Sequence, residues 1–160
     1  MITDILNRIA NGLFILAFLP LSIGGIIALF FVSDDALLTM IPVLIDAYQF
    51  TIIFFLFILI PLSFIRPIRA YIQHLFVLVR TVLFVCLHCL CLITIYGSWG
   101  KFEAILSSLF LIVGLTIGSI FDLIRAGAWI GLTHVLVMIA GIGLCFFIEL
   151  KIYDYADKKS

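Results

Sequence analysis

Charged residues are scarce in this chain: they make up 11% of its 160 residues, whereas 66% are hydrophobic. Soluble domains carry roughly 25% charged residues, because their surfaces face water. A small soluble domain leaves a large share of its surface exposed, so it could not hide this much apolar area. The scarcity of charge therefore excludes a water-soluble domain and predicts that lipid surrounds most of the chain.

An excess of one charge sign is also lacking, since nine basic residues balance nine acidic ones. Proteins that bind nucleic acid neutralise its phosphates with lysine and arginine, and therefore carry a basic excess. The basic residues here are scattered at the ends of apolar runs, and no polybasic tract occurs. The balance argues against nucleic acid as a partner and leaves the lipid bilayer as the expected surrounding.

Signature motifs of common enzymes are missing as well. The sequence contains no Gly-x-x-x-x-Gly-Lys phosphate loop, no His-Glu-x-x-His zinc motif and no Gly-x-Ser-x-Gly nucleophile turn. No polar stretch is longer than roughly a dozen residues, which leaves no room for a soluble catalytic domain. We therefore expect a protein that is not an enzyme and that holds no cofactor.

Long apolar runs dominate what is present. A membrane-spanning helix needs about 20 apolar residues to cross the ~30 Å hydrocarbon core. Five runs approach or exceed this length: residues 9–32, 41–64, 71–96, 104–121 and 128–150. Their continuous apolar character favours helices over a barrel, whose strands alternate between polar and apolar residues. We predict one integral membrane domain over residues 1–160, an all-α polytopic bundle of four or five transmembrane helices with short loops.

The breaks between the runs predict the orientation of the chain. Arg66 and Arg69 lie in the second break, whereas Asp34 and Asp35 lie in the first. Because lysine and arginine accumulate in cytoplasmic loops, the second break is expected inside and the first outside. This places the N-terminus in the cytoplasm and the chain, as a multi-pass protein, in the inner (plasma) membrane.

The run over residues 104–121 decides where the C-terminal tail lies. With five spans, residues 122–125 return to the cytoplasm, and the tail with Lys151, Lys158 and Lys159 ends outside. If this run is instead one arm of a re-entrant hairpin, four spans remain and both termini are cytoplasmic, which suits the lysines of the tail. We favour five helices and leave the side of the tail open.

Ionisable residues inside apolar runs are costly in lipid, so each is a candidate functional residue. The candidates are Asp46, Arg80, His88 and His134. Together they could line the interior path of an ion channel or a small transporter. Two have structural alternatives: Asp46, near the outer end of its run, as an interfacial carboxylate, and Arg80 as a side chain that reaches the headgroups or a carboxylate of another subunit.

A Cys-Leu-His-Cys-Leu-Cys segment covers residues 86–91, near the middle of the third run. Thiolates and imidazoles are ligands of copper and zinc, so Cys86, His88, Cys89 and Cys91 are candidate metal ligands. All four lie on one helix, however, whereas tetrahedral sites usually draw on more than one element. We expect packing by small side chains and no metal, with a haem- or metal-binding anchor as an alternative.

Small residues recur at helical spacing in the last two runs. Gly114 and Gly118 form one Gly-x-x-x-Gly pair, and Gly127 and Gly131 form another. Such pairs put small residues on one stripe and let helices approach closely in lipid. They predict a tight helix pair within the chain or a contact between subunits.

The loop with Arg66, Pro67 and Arg69 is the expected docking point for a soluble cytoplasmic partner. A chain of membrane helices with short loops typically works through assembly, so we expect a homo-oligomer that anchors or regulates such a partner. The alternative is that the two arginines only orient the chain and bind lipid headgroups.

In chain length and number of apolar runs, the sequence resembles the small multi-span membrane subunits of bacterial phage-defence systems, that of Kiwa in particular. The resemblance implies a multimer that binds a cytoplasmic effector and responds to disturbance of the envelope in antiviral defence. The resemblance concerns the overall plan alone, and no functional residue is carried over from it.

Overall fold

The computed structural model describes residues 34–65, 69–109 and 111–157. These residues form helices joined by short turns, with no strand among them, so the predicted all-α fold is confirmed. The first predicted run, residues 9–32, lies outside the described residues, as do Arg66 and Pro67 of the predicted docking loop.

The helices are, in chain order, α1 (Asp34–Phe54), a π-helical turn (Phe55–Leu59), α2 (Ile60–Ser63), α3 (Arg69–Trp99), α4 (Lys101–Leu109), α5 (Leu111–Arg125) and α6 (Trp129–Asp157). The first three follow one another without a break and are called the first rod below. Within the described ranges, three segments are long and apolar enough to cross a membrane: Asp35–Ser63, His74–Trp99 and Trp129–Lys151. These apolar helices fit insertion in a membrane.

The first rod is helical from Asp34, the first described residue of this segment, and therefore extends ahead of the predicted start at residue 41. Near its other end, the amide of Ile60 donates to the carbonyl of Phe55, five residues earlier. Pro61, the next residue, has no backbone N–H to donate. The π-helical turn therefore lies directly before the position at which proline interrupts the α-helical hydrogen bonds.

α3 is the central helix of the bundle. In its membrane-length window 56% of the residues are buried, against 17% in the first rod and 22% in α6. The outward faces of the first rod and α6 carry large apolar side chains that are more than half exposed, among them Val43, Phe50, Phe57, Ile130 and Phe147. Apolar faces of this extent are unusual on monomers in water, so they call for lipid or another helix as their neighbour.

The first rod runs antiparallel to α3. Phe55 of its π-helical turn packs edge-on against Phe76, near the start of α3, with ring centroids 5.5 Å apart. Ile41, near the start of the rod, shares a cavity with Leu90 in the second half of α3. The beginning of the rod therefore lies beside the end of α3.

α6 also runs antiparallel to α3. Gly141 of α6 lies against Leu83 of α3, in close contact: an added Cβ would be 3.3 Å from Leu83 Cδ1. Further along α6, Glu149 reaches Arg80, which is closer to the start of α3. The end of α6 therefore lies near the beginning of α3.

α4 and α5 form a helical hairpin beside the end of α3. Gly100, with a φ of 100°, turns the chain after α3. α4 has nine residues and is about 13 Å long, too short to cross a ~30 Å core. α5 then returns parallel to α3: Gly118 faces Ile95. One turn further along both helices, the indole N–H of Trp99 donates to the carboxylate of Asp122.

The turn after α5 brings α6 back against the same end of the bundle. The amide of Ala128 donates to the carbonyl of Leu123 at 2.9 Å. The amide of Gly127 donates to the carbonyl of Ile124 at 3.1 Å, which completes the bond pair of a Schellman motif. Gly127 has a φ of 67°, a left-handed conformation that glycine adopts without steric cost. Gly127 thus ends a helix, a different role from the packing stripe expected for it.

The breaks before α4 and after α5 lie at one end of the bundle, because Trp99 and Asp122 meet there. Among the predicted four or five helices, the four-span arrangement with a re-entrant hairpin fits these helix directions, and the described residues supply three of its spans.

Candidate functional site: polar contacts inside the bundle

Arg80 and Glu149 form an ion pair between α3 and α6. Arg80 Nη1 donates to Glu149 Oε2 at 2.8 Å, and each side chain is only 12% exposed. Cys145, fully buried one helical turn before Glu149, lies close to the pair. Burial of both charges makes the pair costly to break, because a single remaining charge would lose its compensation. Arg80 is among the predicted intramembrane residues and Glu149 is not, because Glu149 lies at the end of its apolar run in the sequence.

Tyr48 and His134 connect the first rod to α6. The Tyr48 hydroxyl is hydrogen-bonded to His134 Nδ1, and the two rings are edge-on with centroids 5.7 Å apart. Tyr48 is 3% exposed, so its hydroxyl needs this partner to avoid an unsatisfied buried polar group. The contact gives His134 a structural partner within the chain.

A mostly apolar cavity of about 270 Å³ lies next to His134, between the first rod, α3 and α6. Thr94 and Ser98 of α3 and His134 supply its polar lining. His88 does not line this cavity; it is buried in α3 at 4% exposure. The cavity therefore does not bring the two histidines to one site, and it offers no position for a haem held between them.

The cysteine-rich segment of α3 is part of the packed core. Cys86 and Cys91 are buried and Cys89 is half-buried. The thiol of Cys91 lies beside the hydroxyls of Thr116 and Ser119 on α5, so it contributes to the contact between these helices. In the described part of the chain, no three His, Cys, Asp or Glu side chains lie close enough together to hold a metal ion.

Asp46 lies on the outer face of the first rod. It is exposed, as are Val43 and Phe50, one turn before and after it. Asp46 lies about 17 Å from the start of the membrane-length segment Asp35–Ser63, at ~1.5 Å per residue. The predicted run, residues 41–64, placed it about one and a half turns from the outer end, so the longer segment puts it further from that end.

The four ionisable residues predicted to share a path lie on different surfaces of the chain. Asp46 points outward, Arg80 pairs with Glu149, and His134 contacts Tyr48. Arg80 and His88 are separated by about 12 Å along α3, at ~1.5 Å per residue. The structure does not gather these residues around one passage within the subunit.

Two of the predicted packing glycines lie at helix contacts within the chain. A Cβ at Gly118 would be 3.4 Å from Ile95 Cδ1, and a Cβ at Gly131 would be 3.0 Å from Leu123 Cδ2. Gly114 is exposed on α5. The contacts of Gly118 with α3 and of Gly131 with α5 are intramolecular, the first of the two alternatives that the spacing left open.

The carboxylate of Asp122 is a polar group that the sequence analysis treated only as a loop charge. Asp122 is 5% exposed, and its Oδ1 accepts the indole N–H of Trp99. Its second oxygen, Oδ2, is buried and has no hydrogen-bond partner among the described residues. No sequence pattern marks this site, because it depends on the direction in which α5 returns to α3.

The predicted docking loop leads into α3, which begins at Arg69. The same end of the bundle receives the end of α6, where the Lys151 ammonium lies 5.8 Å from the centre of the Phe147 ring. Aromatic and basic side chains together are typical of the boundary between hydrocarbon and headgroups. The helix directions thus place Lys151 at the same end as the predicted loop.

Comparison with protein-family models, with curated proteins and with solved structures finds no match to this chain. No family is therefore assigned to it. Its helix directions, buried polar contacts and exposed faces carry the functional conclusions that follow.

Proposed function

We propose that this chain is a non-enzymatic membrane subunit that forms a homo-oligomer and anchors or regulates a soluble cytoplasmic partner. The observation that carries this proposal is the exposed carboxylate of Asp46 near the middle of the first rod. A charged group facing lipid at this depth is costly, so such groups usually face another helix or water. Because Arg80, the intramembrane cation of α3, is already paired with Glu149, Asp46 calls for a neighbour outside the described residues.

The apolar surroundings of Asp46 support a helix as that neighbour. Val43 is 66% exposed, Phe50 71% and Ile53 56%. With Asp46 they occupy positions i, i+3, i+7 and i+10, which lie on one helix face. Gln49, also exposed, adds a second polar group. Polar groups on an apolar face favour specific helix association in lipid.

The proposed membrane is the inner (plasma) membrane, with the loop before α3 and the tail after α6 in the cytoplasm. The sequence puts Arg66, Arg69 and Lys151 at this end, and Lys101 and Arg125 at the other, beside Asp35, Glu103 and Asp122. The excess of three basic residues over two supports this orientation through the positive-inside tendency. With four spans the N-terminus is cytoplasmic too, so the short polar segments that could hold a partner lie on one side.

The nature of the partner and the signal is proposed from overall plan alone. On the resemblance to the membrane subunits of phage-defence systems, the partner is an antiviral effector and the signal is disturbance of the envelope. The structure is compatible with such a role in one physical respect: the outer faces of the first rod and α6 contact their surroundings over most of their area.

Native mass spectrometry of the full chain in mild detergent tests the assembly. The expected result is one defined multimer, which Asp46→Lys converts to smaller species, whereas Asp35→Lys at the exposed start of the rod does not. A strictly monomeric wild-type protein would contradict the proposal. A multimer unaffected by Asp46→Lys would show that Asp46 does not lie at the contact between subunits and would remove the observation on which the proposal rests.

Capture of the partner is tested with charge reversals at the two ends. Arg66→Glu combined with Arg69→Glu is expected to abolish capture of the soluble partner by the reconstituted multimer. Arg125→Glu, at the opposite end of the bundle, should leave capture unchanged. If both variants capture the partner as well as the wild type, the loop is not the docking point.

A channel formed between subunits is the second candidate, and the position of Asp46 favours it. A carboxylate that each subunit contributes at mid-membrane could line a path for cations along the oligomer axis. The measurement is cation flux into proteoliposomes. A cation flux that Asp46→Asn reduces would favour this function. Equal flux into vesicles with and without the protein would exclude it.

A further inference from the structure

Two neighbouring open cavities lie where α5 meets the end of α3, and α4 contributes to the wall of the second. One has a volume of about 440 Å³ and is lined by Ser98, Trp99, Asp122, Arg125 and Ala126. The other, of about 420 Å³, shares Trp99 and Asp122 with the first and adds Glu103. Both volumes lie within the range of small-molecule sites. Together the two form what is called the hairpin site below.

Asp122 lines both cavities, and one of its two carboxylate oxygens has no hydrogen-bond partner among the described residues. Its Oδ1 accepts the indole N–H of Trp99, while its Oδ2 is buried without a partner among the described residues. A buried carboxylate oxygen without a donor is costly. Since it can only accept, the group that would satisfy it is an N–H or O–H donor, and a cationic one would also compensate the charge.

Two further side chains favour a cation as this donor. Glu103 brings a second carboxylate to the second, more apolar cavity, and Trp99 lines both cavities. Two carboxylates attract positive charge, and an indole face is the aromatic surface that binds cations best. A primary ammonium combines the charge with N–H donors, whereas a quaternary ammonium has none to offer Asp122.

Arg125 adds the opposite charge on the other side of Asp122. Arg125 lines the more polar cavity together with Ser98. Arginine binds phosphate through paired N–H donors, and serine hydroxyls are common additional donors to it. The hairpin site therefore presents an anion-binding group and a cation-binding group on either side of one shared residue.

We propose that the hairpin site binds the phosphoethanolamine headgroup of a membrane lipid. The phosphate contacts Arg125, and the primary ammonium donates to Asp122 and Glu103. The apolar walls of the second cavity, which include Leu106 and Phe121, contact the acyl chains. The ends of α3 and α5 lie where membrane helices meet the headgroup layer, so a lipid reaches the site without leaving its leaflet.

This inference does not depend on the oligomer or on the soluble partner. It uses only contacts within one subunit, at the end of the bundle opposite the predicted docking loop. If the hairpin site binds this lipid, it supplies the subunit with a sensor for the composition of the outer leaflet under the proposed orientation.

Lipid binding to the full chain is measured by native mass spectrometry. Phosphatidylethanolamine, phosphatidylglycerol and phosphatidylcholine with identical acyl chains are compared, because they keep the phosphate and change only the group that meets Asp122. The expected result is preferential binding of phosphatidylethanolamine. Free phosphoethanolamine, added as a competitor, distinguishes binding of the headgroup alone from binding of the whole lipid. If it displaces the lipid, the headgroup suffices; if it does not, the acyl chains are needed as well.

Asp122→Asn is the decisive variant, because its side-chain carbonyl still accepts from Trp99 while the negative charge is gone. Loss of a charge-assisted hydrogen bond is expected to weaken phosphatidylethanolamine binding by about ten- to hundredfold. Asp35→Asn, which removes an exposed carboxylate at the same end of the bundle, serves as the matched control and should bind like the wild type. Equal binding of the three lipids, or unchanged preference in Asp122→Asn, would overturn the proposal.

A second variant covers the case in which Asp122→Asn does not fold. Arg125 is exposed, so Arg125→Gln should keep the bundle intact and weaken the binding of all three phospholipids. Trp129→Phe leaves Trp99 as the single tryptophan, and brominated phosphatidylethanolamine should then quench its fluorescence more strongly than brominated phosphatidylglycerol. Equal quenching by the two lipids would refute the site.

Discussion

Replacement of Glu149 by Gln tests the role of the buried ion pair most directly. The change keeps the size of the side chain and removes its charge, so the Arg80 guanidinium loses its carboxylate. Arg80 and Glu149 are both 12% exposed, and their contact is 2.8 Å. Water can therefore compensate little of the lost interaction, and the free energy of unfolding should fall.

Two reference values bear on how far the free energy of unfolding should fall. Neutral hydrogen bonds between membrane helices contribute only about 0.6 kcal/mol on average. Removal of one partner from a buried ion pair costs about 3–5 kcal/mol, because an uncompensated charge remains. The second applies here, since Arg80 stays charged in the variant. At ~2–4 °C per kcal/mol for a chain of this size, Glu149→Gln should lower the Tm by about 6–20 °C.

Thermal unfolding of the purified protein in detergent, followed by circular dichroism, measures this shift. Asp35→Asn is the control, because it removes an exposed carboxylate and should change the Tm by less than about 2 °C. The double variant Arg80→Met with Glu149→Leu should regain most of the loss, since apolar side chains can replace a buried ion pair at little cost. A single variant as stable as the wild type, or a double variant less stable than the single one, would refute the reasoning.

Three further changes test other parts of the fold. Tyr48→Phe removes the hydroxyl that is bonded to His134, and should lower the free energy of unfolding by about 0.5–1.5 kcal/mol in the same assay; an unchanged Tm would mean that the contact contributes nothing. Gly127→Ala forces a side chain into the left-handed conformation and should cost about 1–2 kcal/mol, whereas an increase in Tm would contradict the assigned turn. Single cysteines at Asp35 and Ala126 should react with an impermeant maleimide from one side of the membrane and a cysteine at Lys151 from the other; reaction at positions 35 and 151 from one side and at position 126 from the other would exclude the re-entrant hairpin and support five spans.

Some candidate functional residues can be recognised from the sequence, whereas others gain a role only from the tertiary structure. Arg80 and Asp46 stand out in the sequence because a charge inside an apolar run is costly wherever the helix lies. Glu149 lies close to the end of its run and gains significance only because α6 passes Arg80 in the antiparallel direction. Asp122 likewise looks like an ordinary loop residue until the hairpin buries it beside Trp99. Individual charges were thus predictable, and their partners were not.

Composition and run length by themselves determined that this chain consists of apolar helices with short connections, because hydrophobicity over about 20 residues is a local property. Only the tertiary structure decided how those helices are directed. Residues 104–121 have nearly the length of a span, yet the chain divides them between α4 and α5 and returns to the side it left. Direction depends on contacts between distant residues, such as Trp99 with Asp122, and no local pattern encodes which of two ends a short helix faces.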